Sequence, residues 1–261
     1  MRRIPLQKIF RHLLPRNLFG LLLSFWADNR RLILVAISAI VLGTFLASLT
    51  AQTRQALLNG LFAQRTLVIL LLVFILLVLS LLLSAGQRLD LWVFTLFNLR
   101  GYHPLWLDRV MWGFTQIGNG AAGILLGIGL YFAGNRPLAV ALLLGILTLW
   151  LAVELIKAIV ERSRPYLTLE EARIIGWRER GLSFPSGHTS QAFFMATLFS
   201  HYLDIGPLLG WLIYLVATIV GVTRVYVGAH YPRDVIAGAI LGTVWGLLTD
   251  LANVYLTTGQ F

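Results

Sequence analysis

The chain has 261 residues, of which 58% are hydrophobic and only 12% are charged, and its formal net charge is +10. This composition is too apolar for an ordinary soluble domain and is typical of a protein that crosses a membrane several times. The absence of cysteine excludes disulfides, zinc–thiolate sites and cysteine nucleophiles. Because most arginines flank apolar segments, membrane orientation explains the positive charge better than a nucleic-acid partner, and we expect no such partner.

The first 31 residues are rich in arginine, leucine and phenylalanine. They contain no small-residue cleavage site, so we do not interpret them as a removed signal peptide. We predict that residues 1–31 form a basic amphipathic segment on an anionic membrane surface. The alternative is a positive orientation signal without a lipid-binding role.

Seven apolar segments have about the length of roughly 20 residues that a helix needs to cross the hydrocarbon core. We predict spanning helices at residues 32–51, 66–85, 115–134, 137–160, 188–204, 208–227 and 235–256. Charges and Pro104 interrupt the segment 86–114, which predicts a helix at the membrane interface with its tryptophans in the aromatic belt. The predicted fold class is an all-α, polytopic transmembrane helical bundle.

Basic residues are distributed unevenly between the two faces that these spans define. All but three of the 21 lysines and arginines fall on one face, the exceptions being Arg54, Arg65 and Arg136. The positive-inside rule predicts that the arginine-rich face is cytoplasmic in the cell membrane, with the periplasmic or extracellular face as the alternative. We interpret five arginines on this face as orientation charges only: Arg162, Arg173, Arg178, Arg180 and Arg233.

The segment GNGAAG at residues 118–123 matches a glycine pattern of dinucleotide-binding proteins. That pattern binds a pyrophosphate only where a strand turns into a helix, whereas here it opens a predicted membrane helix. Gly123 and Gly127 are one helical turn apart, a spacing that lets helices approach closely. We therefore predict helix packing rather than nucleotide binding.

Three short polar stretches lie on the arginine-rich face, namely KAIVERSRP at 157–165, PSGH at 185–188 and TRVYVGAHYPRD at 223–234. Lysine and arginine side chains donate to phosphate oxygens, and the guanidinium group does so in bidentate fashion. A hydroxyl and a backbone amide at a helix start favour the same anion, because the first amides of a helix lack partners within it. The sequence predicts a phosphate site built from Lys157, Arg164, Ser186, Gly187 and Arg224.

Two histidines accompany this phosphate site. His230 and Asp234 are four residues apart at a helix entry, so the carboxylate can accept one ring N–H and leave the other nitrogen free to attack phosphorus. His188 provides a second imidazole, suited to protonating the leaving oxygen. These residues predict phosphoryl transfer through nucleophilic catalysis.

Taken together, the three stretches resemble the three-part signature of the type 2 phosphatidic acid phosphatase superfamily. The resemblance covers residues 66–256 and implies a six-helix phosphatase core, which makes 32–51 an extra N-terminal transmembrane helix. The family usually has serine before the third-motif arginine, whereas this chain has Thr223, which keeps the hydroxyl. The resemblance implies His230 as the nucleophile that forms a phosphohistidine, His188 as the general acid, Asp234 as its orienting partner, and Lys157, Arg164, Ser186, Gly187 and Arg224 as phosphate ligands.

We therefore predict an integral membrane lipid phosphatase that needs no metal or other cofactor. Its partners would be the lipid bilayer and a lipid phosphate, with polyprenyl diphosphate, phosphatidylglycerol phosphate and phosphatidic acid all open as substrates. A lipid phosphotransferase with the same site is one alternative. A transporter is another, although its ionisable residues should lie near the middle of the membrane rather than at helix ends.

Overall fold

The computed structural model describes residues 18–203 and 205–258, and within them it contains helices and no strands. The helices are α1 (Leu18–Ser48), α2 (Ala51–Ala63), α3 (Arg65–Ser80), α4 (Ser84–Phe94), α5 (Leu105–Thr115), α6 (Gly120–Phe132), α7 (Arg136–Val160), the one-turn α8 (Pro165–Thr168), α9 (Gly187–Tyr202), α10 (Gly206–Tyr226) and α11 (Pro232–Thr258). A π-helical turn (Thr95–Leu99) follows α4, and a 3₁₀ turn (Gln116–Gly118) follows α5.

The chain divides into two compact units, residues 1–54 and 55–261, and all three polar stretches belong to the second. Residues 1–17 of the predicted basic segment lie outside the described residues. The rest of that segment begins α1, which continues through the predicted extra span.

Four helical segments in the described part of the chain are long and apolar enough to cross a membrane, and they are Asn29–Ser48, Arg136–Thr168, Gly206–Tyr226 and Pro232–Tyr255. Helices α2 and α3 satisfy the same test only as a pair. The predicted spans at 115–134 and 188–204 contain shorter helices, of 13 residues in α6 and 16 in α9. Each of the predicted spans therefore contains a helix, but α3, α6 and α9 are shorter than the spans predicted for them.

Local chemistry explains where α6 begins, and burial inside the protein explains the polar start of α9. The predicted helix at 115 starts only at Gly120, because the Asn119 side chain accepts a hydrogen bond from the Ala121 amide at 3.0 Å and caps α6 there. Helix α9 carries the polar residues Thr189, Ser190 and Gln191, which are buried inside the protein. Because α9 is surrounded by other helices, its side chains face protein rather than lipid, and polar residues are accommodated there.

Helix α9 lies at the centre of the second unit, where it packs against α7, α10 and α11. Phe194 and Leu198 of α9 are almost completely buried against Leu142 and Leu149 of α7. The antiparallel arrangement of successive helices brings the end of α7, the start of α9, the end of α10 and the start of α11 to one end of the bundle. That end holds the three polar stretches.

Glycines let the helices that carry these stretches approach closely. Gly238, Gly242 and Gly246 recur once per turn on α11 and face α9, and a Cβ atom at Gly238 would lie 2.6 Å from the Ser186 carbonyl oxygen. In the same way, a Cβ at Gly123 of α6 would lie 2.6 Å from Ile146 Cδ1 of α7. A Cβ at Gly127 would likewise lie 2.7 Å from Leu143 Cδ2, so the prediction that Gly123 and Gly127 serve helix packing is confirmed, whereas Gly120 faces open space.

The predicted interface segment consists of α4, the π-helical turn and α5. Trp92, Trp106 and Tyr102 are largely exposed, as an aromatic belt requires. The carboxylates of this segment point the other way, because Asp90 is only 1% exposed and Asp108 pairs with Arg173. The segment therefore contributes buried charges to the bundle as well as an apolar surface.

Candidate active site

The three polar stretches meet directly at one end of the bundle. The Ser186 amide donates to the carbonyl oxygen of Asp234 at 2.9 Å, which joins the second stretch to the third. The Arg164 guanidinium joins the first to the third, because its Nη1 donates to the Ala229 carbonyl oxygen at 3.1 Å and lies 3.2 Å from His230 Nε2. Residues separated by tens of positions in sequence thus form one cluster.

The predicted direct hydrogen bond between His230 and Asp234 is not present. Nδ1 of His230 lies 3.7 Å from Oδ2 of Asp234, which is too long for a hydrogen bond. The Ser183 hydroxyl stands between them, since it donates to Asp234 Oδ2 at 2.5 Å and lies 3.4 Å from His230 Nδ1. Contact between the ring and the carboxylate therefore runs through a serine that lies outside the predicted set.

The Asp234 carboxylate is completely buried and is held by several donors. Its Oδ2 accepts from the Tyr231 amide at 2.9 Å, which satisfies a free N–H at the start of α11 in the manner of a capping box. Its Oδ1 accepts from Arg162 Nη1 at 2.6 Å. These bonds hold the carboxylate in place as an acceptor beside His230.

Arg162 and Arg233 were interpreted as orientation charges, and for these two that interpretation is wrong. Asp90 of α4 forms an ion pair with each of them, with Arg233 Nε at 2.7 Å from its Oδ2. Arg162 also lies over the Tyr231 ring, with its central carbon 4.4 Å from the ring centroid. Both guanidinium groups are mostly buried, so they need these carboxylates to offset the loss of hydration.

Arg164 and Arg224 lie at the centre of the cluster, and each is only 2% exposed. Nη1 of Arg224 donates to the Thr115 hydroxyl at 2.6 Å. Its Nε is buried and has no hydrogen-bond partner among the described residues. A buried guanidinium with an unused donor is suited to an anionic ligand.

The start of α9 completes the cationic cluster. Ser186 is the N-cap residue and Gly187 the first residue of the helix, and His188, with 22% of its side chain exposed, follows on the open side. Lys157, near the end of α7, pairs with Glu154 through a 2.7 Å contact, and its side chain is 13% exposed. Within the described part of the chain, the hydroxyl of Thr223, the residue before Arg224, forms no hydrogen bond with the predicted site residues. It donates to the Val220 carbonyl oxygen of its own helix at 2.6 Å.

A carboxylate occupies the middle of this cluster. Glu179 lies in the loop between α8 and α9 and forms ion pairs with both site arginines. Its Oε2 is 2.9 Å from Arg164 Nη1, and its Oε1 contacts Arg224. Burial by itself raises the pKa of Glu179, but the positive charges of Arg224 and Arg164 outweigh it and hold that pKa below its ordinary value. Glu179 is therefore ionised at neutral pH.

His230 is kept uncharged by its surroundings. Burial lowers its pKa well below the ordinary histidine value, and the positive charges of Arg164 and Arg224 lower it further. A neutral imidazole has one nitrogen lone pair free, and Nε2 is the nitrogen that faces Arg164. The ring is therefore in the protonation state that a nucleophile requires.

Two cavities open onto the cluster, and both are bounded by Glu179 and His188. One has a volume of about 320 Å³ and contacts Lys157, Arg164, Gly187 and His230. The other has a volume of about 290 Å³ and contacts Arg224, together with the end of α5 and the start of α6. Six of the eight predicted site residues line these cavities, and the other two, Ser186 and Asp234, are buried directly behind them and joined by a backbone hydrogen bond.

Comparison with known proteins identifies the family. The sequence model of the PAP2 superfamily matches residues 138–256, which contain all three polar stretches. Phosphatidylglycerophosphatase B of Bacillus subtilis is 30% identical over 149 residues, which cover 52% of this chain and 70% of that protein. The chain belongs to the PAP2 superfamily. The undecaprenyl-diphosphatase of Sulfolobus acidocaldarius, a further PAP2 relative, is 28% identical over 178 residues, covering 67% of this chain and 85% of that protein.

A solved structure supports the same assignment. The PAP2-type phosphatidylglycerolphosphate phosphatase from Bacillus subtilis superposes with a TM-score of 0.60 and 28% identity, covering 70% of this chain and 94% of that chain. The protein is therefore a helical, multi-pass membrane enzyme of the PAP2 family, whose members hydrolyse phosphate esters or anhydrides of lipids. The fold, family and enzyme class predicted from the sequence are confirmed.

Proposed function

We propose that this PAP2 enzyme hydrolyses the phosphate monoester or diphosphate of a membrane lipid through a phosphohistidine at His230. One observation carries the proposal. The unprotonated Nε2 of a neutral, buried imidazole accepts from the Arg164 guanidinium at 3.2 Å, beside a cavity that also contacts His188. A nucleophile, cationic donors and a second imidazole around one space meet the requirements of phosphoryl transfer.

In the first step, the Nε2 lone pair of His230 attacks phosphorus and forms a P–N bond. The bond from phosphorus to the leaving oxygen breaks, and His188 gives its proton to that oxygen. Ser183 and Asp234 hold the opposite edge of the His230 ring, so that the positive charge on the ring develops next to a carboxylate. Burial and the nearby Arg224 lower the pKa of His188, and the negative charge of the bound phosphate opposes this shift and favours the protonated form before this step.

In the second step, His188 takes a proton from water as the water oxygen attacks phosphorus. The P–N bond breaks, its electron pair returns to His230, and inorganic phosphate leaves. Arg164, Arg224 and Lys157 neutralise the equatorial oxygens in both transition states, with Ser186 and the Gly187 amide as further donors. In this proposal these donors supply the positive charge that faces the phosphate oxygens, and no step is assigned to a metal ion.

The lipid portion of the substrate is inferred from the relatives. The two relatives are named for phosphatidylglycerophosphate and undecaprenyl diphosphate, which share only the terminal phosphate. We propose that the same phosphate site accepts polyprenyl diphosphate, phosphatidylglycerol phosphate or phosphatidic acid. Selection among them would depend on the helix surfaces that contact the lipid chains.

Purified full-length protein is expected to release inorganic phosphate from at least one of these three lipids, and orthovanadate is expected to inhibit the release. The measurement is phosphate release from each lipid in detergent micelles, with His230→Gln as the inactive control. Release only after addition of an alcohol acceptor would favour a phosphotransferase. No turnover of any lipid phosphate, together with no inhibition by vanadate, would argue for a transporter.

The arginine distribution supports a cell-membrane protein whose site faces the cytoplasm. Because the chain contains no cysteine, single cysteines report on orientation directly. Glu171→Cys, in the exposed loop before the site, is expected to react with an impermeant maleimide only after cells are permeabilised. Arg136→Cys, at the opposite end of α7, is the matched control and should react on intact cells. The reverse labelling pattern would place the site on the outer face.

A further inference from the structure

The Glu179 carboxylate stands where the proposed mechanism requires a phosphate. Its two oxygens form ion pairs with Arg164 and Arg224, so the strongest donors of the site point at a residue of the protein itself. Its oxygens also lie 3.6 Å from His188 Nδ1 and 3.9 Å from His230 Nε2. A phosphate that contacts both arginines and both imidazoles would need this position.

The loop that carries Glu179 is attached to the bundle on both sides of it. Before Glu179, Arg173 binds the Asp108 carboxylate through contacts of 2.9 and 3.1 Å. After it, the Gly181 carbonyl oxygen accepts from Arg164 Nε at 3.2 Å, and the Glu179 carbonyl oxygen itself accepts from the Tyr166 hydroxyl. The carboxylate is thus delivered to the arginines by a loop with fixed ends.

The two cavities at the site meet at this same side chain. One contacts Lys157, Arg164 and His230, the other contacts Arg224, and Glu179 bounds both. Neither cavity alone contacts both arginines, which the proposed phosphate must contact together. Movement of the Glu179 side chain away from the arginines would join the two spaces.

We propose that Glu179 is a resident ligand of the phosphate site, which the lipid phosphate must displace, and that it thereby sets the affinity of the site for phosphate. The proposal rests on the function proposed above. Displacement exchanges one anion for another at buried guanidinium groups, so neither arginine is left with an uncompensated charge at any stage. The carboxylate competes with every phosphate ligand, whether substrate, product or inhibitor.

The test compares Glu179→Gln with wild type in the purified full-length protein. Glutamine keeps the size of the side chain and removes the charge that competes. We expect half-inhibition of the variant at about one-tenth of the orthovanadate concentration that wild type requires, or at a lower concentration still. The KM for the lipid phosphate should fall as well. Glu171→Gln removes the same charge from an exposed position in the same loop and should match wild type.

A purely structural role gives the opposite result. If Glu179 only held Arg224 in position, its replacement would weaken vanadate inhibition and lower kcat, and either an unchanged or a weaker inhibition overturns the proposal. Binding of inorganic phosphate, followed as the rise in thermal unfolding temperature, gives a readout that needs no turnover. A larger rise in Glu179→Gln than in wild type supports the proposal even where the lipid substrate has not been found, whereas an equal or smaller rise overturns it. Failure of lipid hydrolysis in wild type would instead overturn the proposed function.

Discussion

Replacing His230 with glutamine is expected to abolish phosphate release, with a fall in kcat of at least about 10⁴-fold. Glutamine fills a similar space and can still contact Ser183 or Arg164, but its amide nitrogen has no lone pair available to attack phosphorus. The His230 side chain is buried beside a fixed carboxylate, and its Nε2 is held next to Arg164. The variant should therefore fold and bind vanadate while failing to turn over.

The intermediate itself can be trapped. A phosphorus–nitrogen bond survives alkali and is cleaved in acid, so an alkaline quench after reaction with a radiolabelled lipid phosphate retains label on the protein. His188→Ala removes both the proton donor of the first step and the general base of the second, so label on this variant should appear and decay more slowly than on wild type. His230→Gln should retain none. Alkali-stable label on His230→Gln would contradict the assignment of the nucleophile.

Replacing Arg224 with glutamine is expected to lower kcat/KM by about a hundredfold or more, since loss of one preorganised donor to a developing charge costs about 3 kcal/mol. The Arg224 guanidinium is buried, held by the Thr115 hydroxyl, and has an unused Nε donor. Its position is fixed before substrate arrives, so little reorganisation accompanies the reaction.

The control for this variant is Arg178→Gln, which removes the same charge from an exposed position of the loop that carries Glu179. Steady-state kinetics on a lipid that wild type hydrolyses should separate the two variants. Equal rates for Arg224→Gln and Arg178→Gln would mean that Arg224 contributes only long-range charge. Thermal unfolding of each variant distinguishes lost catalysis from lost structure.

The helices and the predicted site residues could be inferred from the sequence because both follow local rules. Long apolar runs predict helices, and the motif residues have fixed spacings at and beside the ends of α7, α9, α10 and α11. Helix lengths were harder to predict from the sequence. Whether an apolar segment such as 188–204 faces lipid or protein depends on the helices packed around it. The polar residues Thr189 and Ser190 were the signal that α9 is surrounded by protein.

Residues that act across long sequence distances could not be inferred in this way. Ser183 and Glu179 lie in a loop without a periodic pattern, and only the folded chain brings them between the histidines, Asp234 and the arginines. Asp90 stands in a segment interpreted as interfacial, far in sequence from its partner Arg233. Its one visible signal was an acidic residue within an otherwise apolar run.

The ion pairs of Asp90 also bear on how the chain assembles after synthesis. Asp90 belongs to α4, Arg162 follows α7, and Arg233 and Asp234 begin α11, so no single hairpin of helices contains the whole set. A chain with α4 or α11 misplaced would leave buried ions unpaired, which is strongly unfavourable. Placing α4 correctly in the membrane therefore also pairs Arg162, which in turn holds the Asp234 carboxylate. An incompletely assembled chain would lack an organised site.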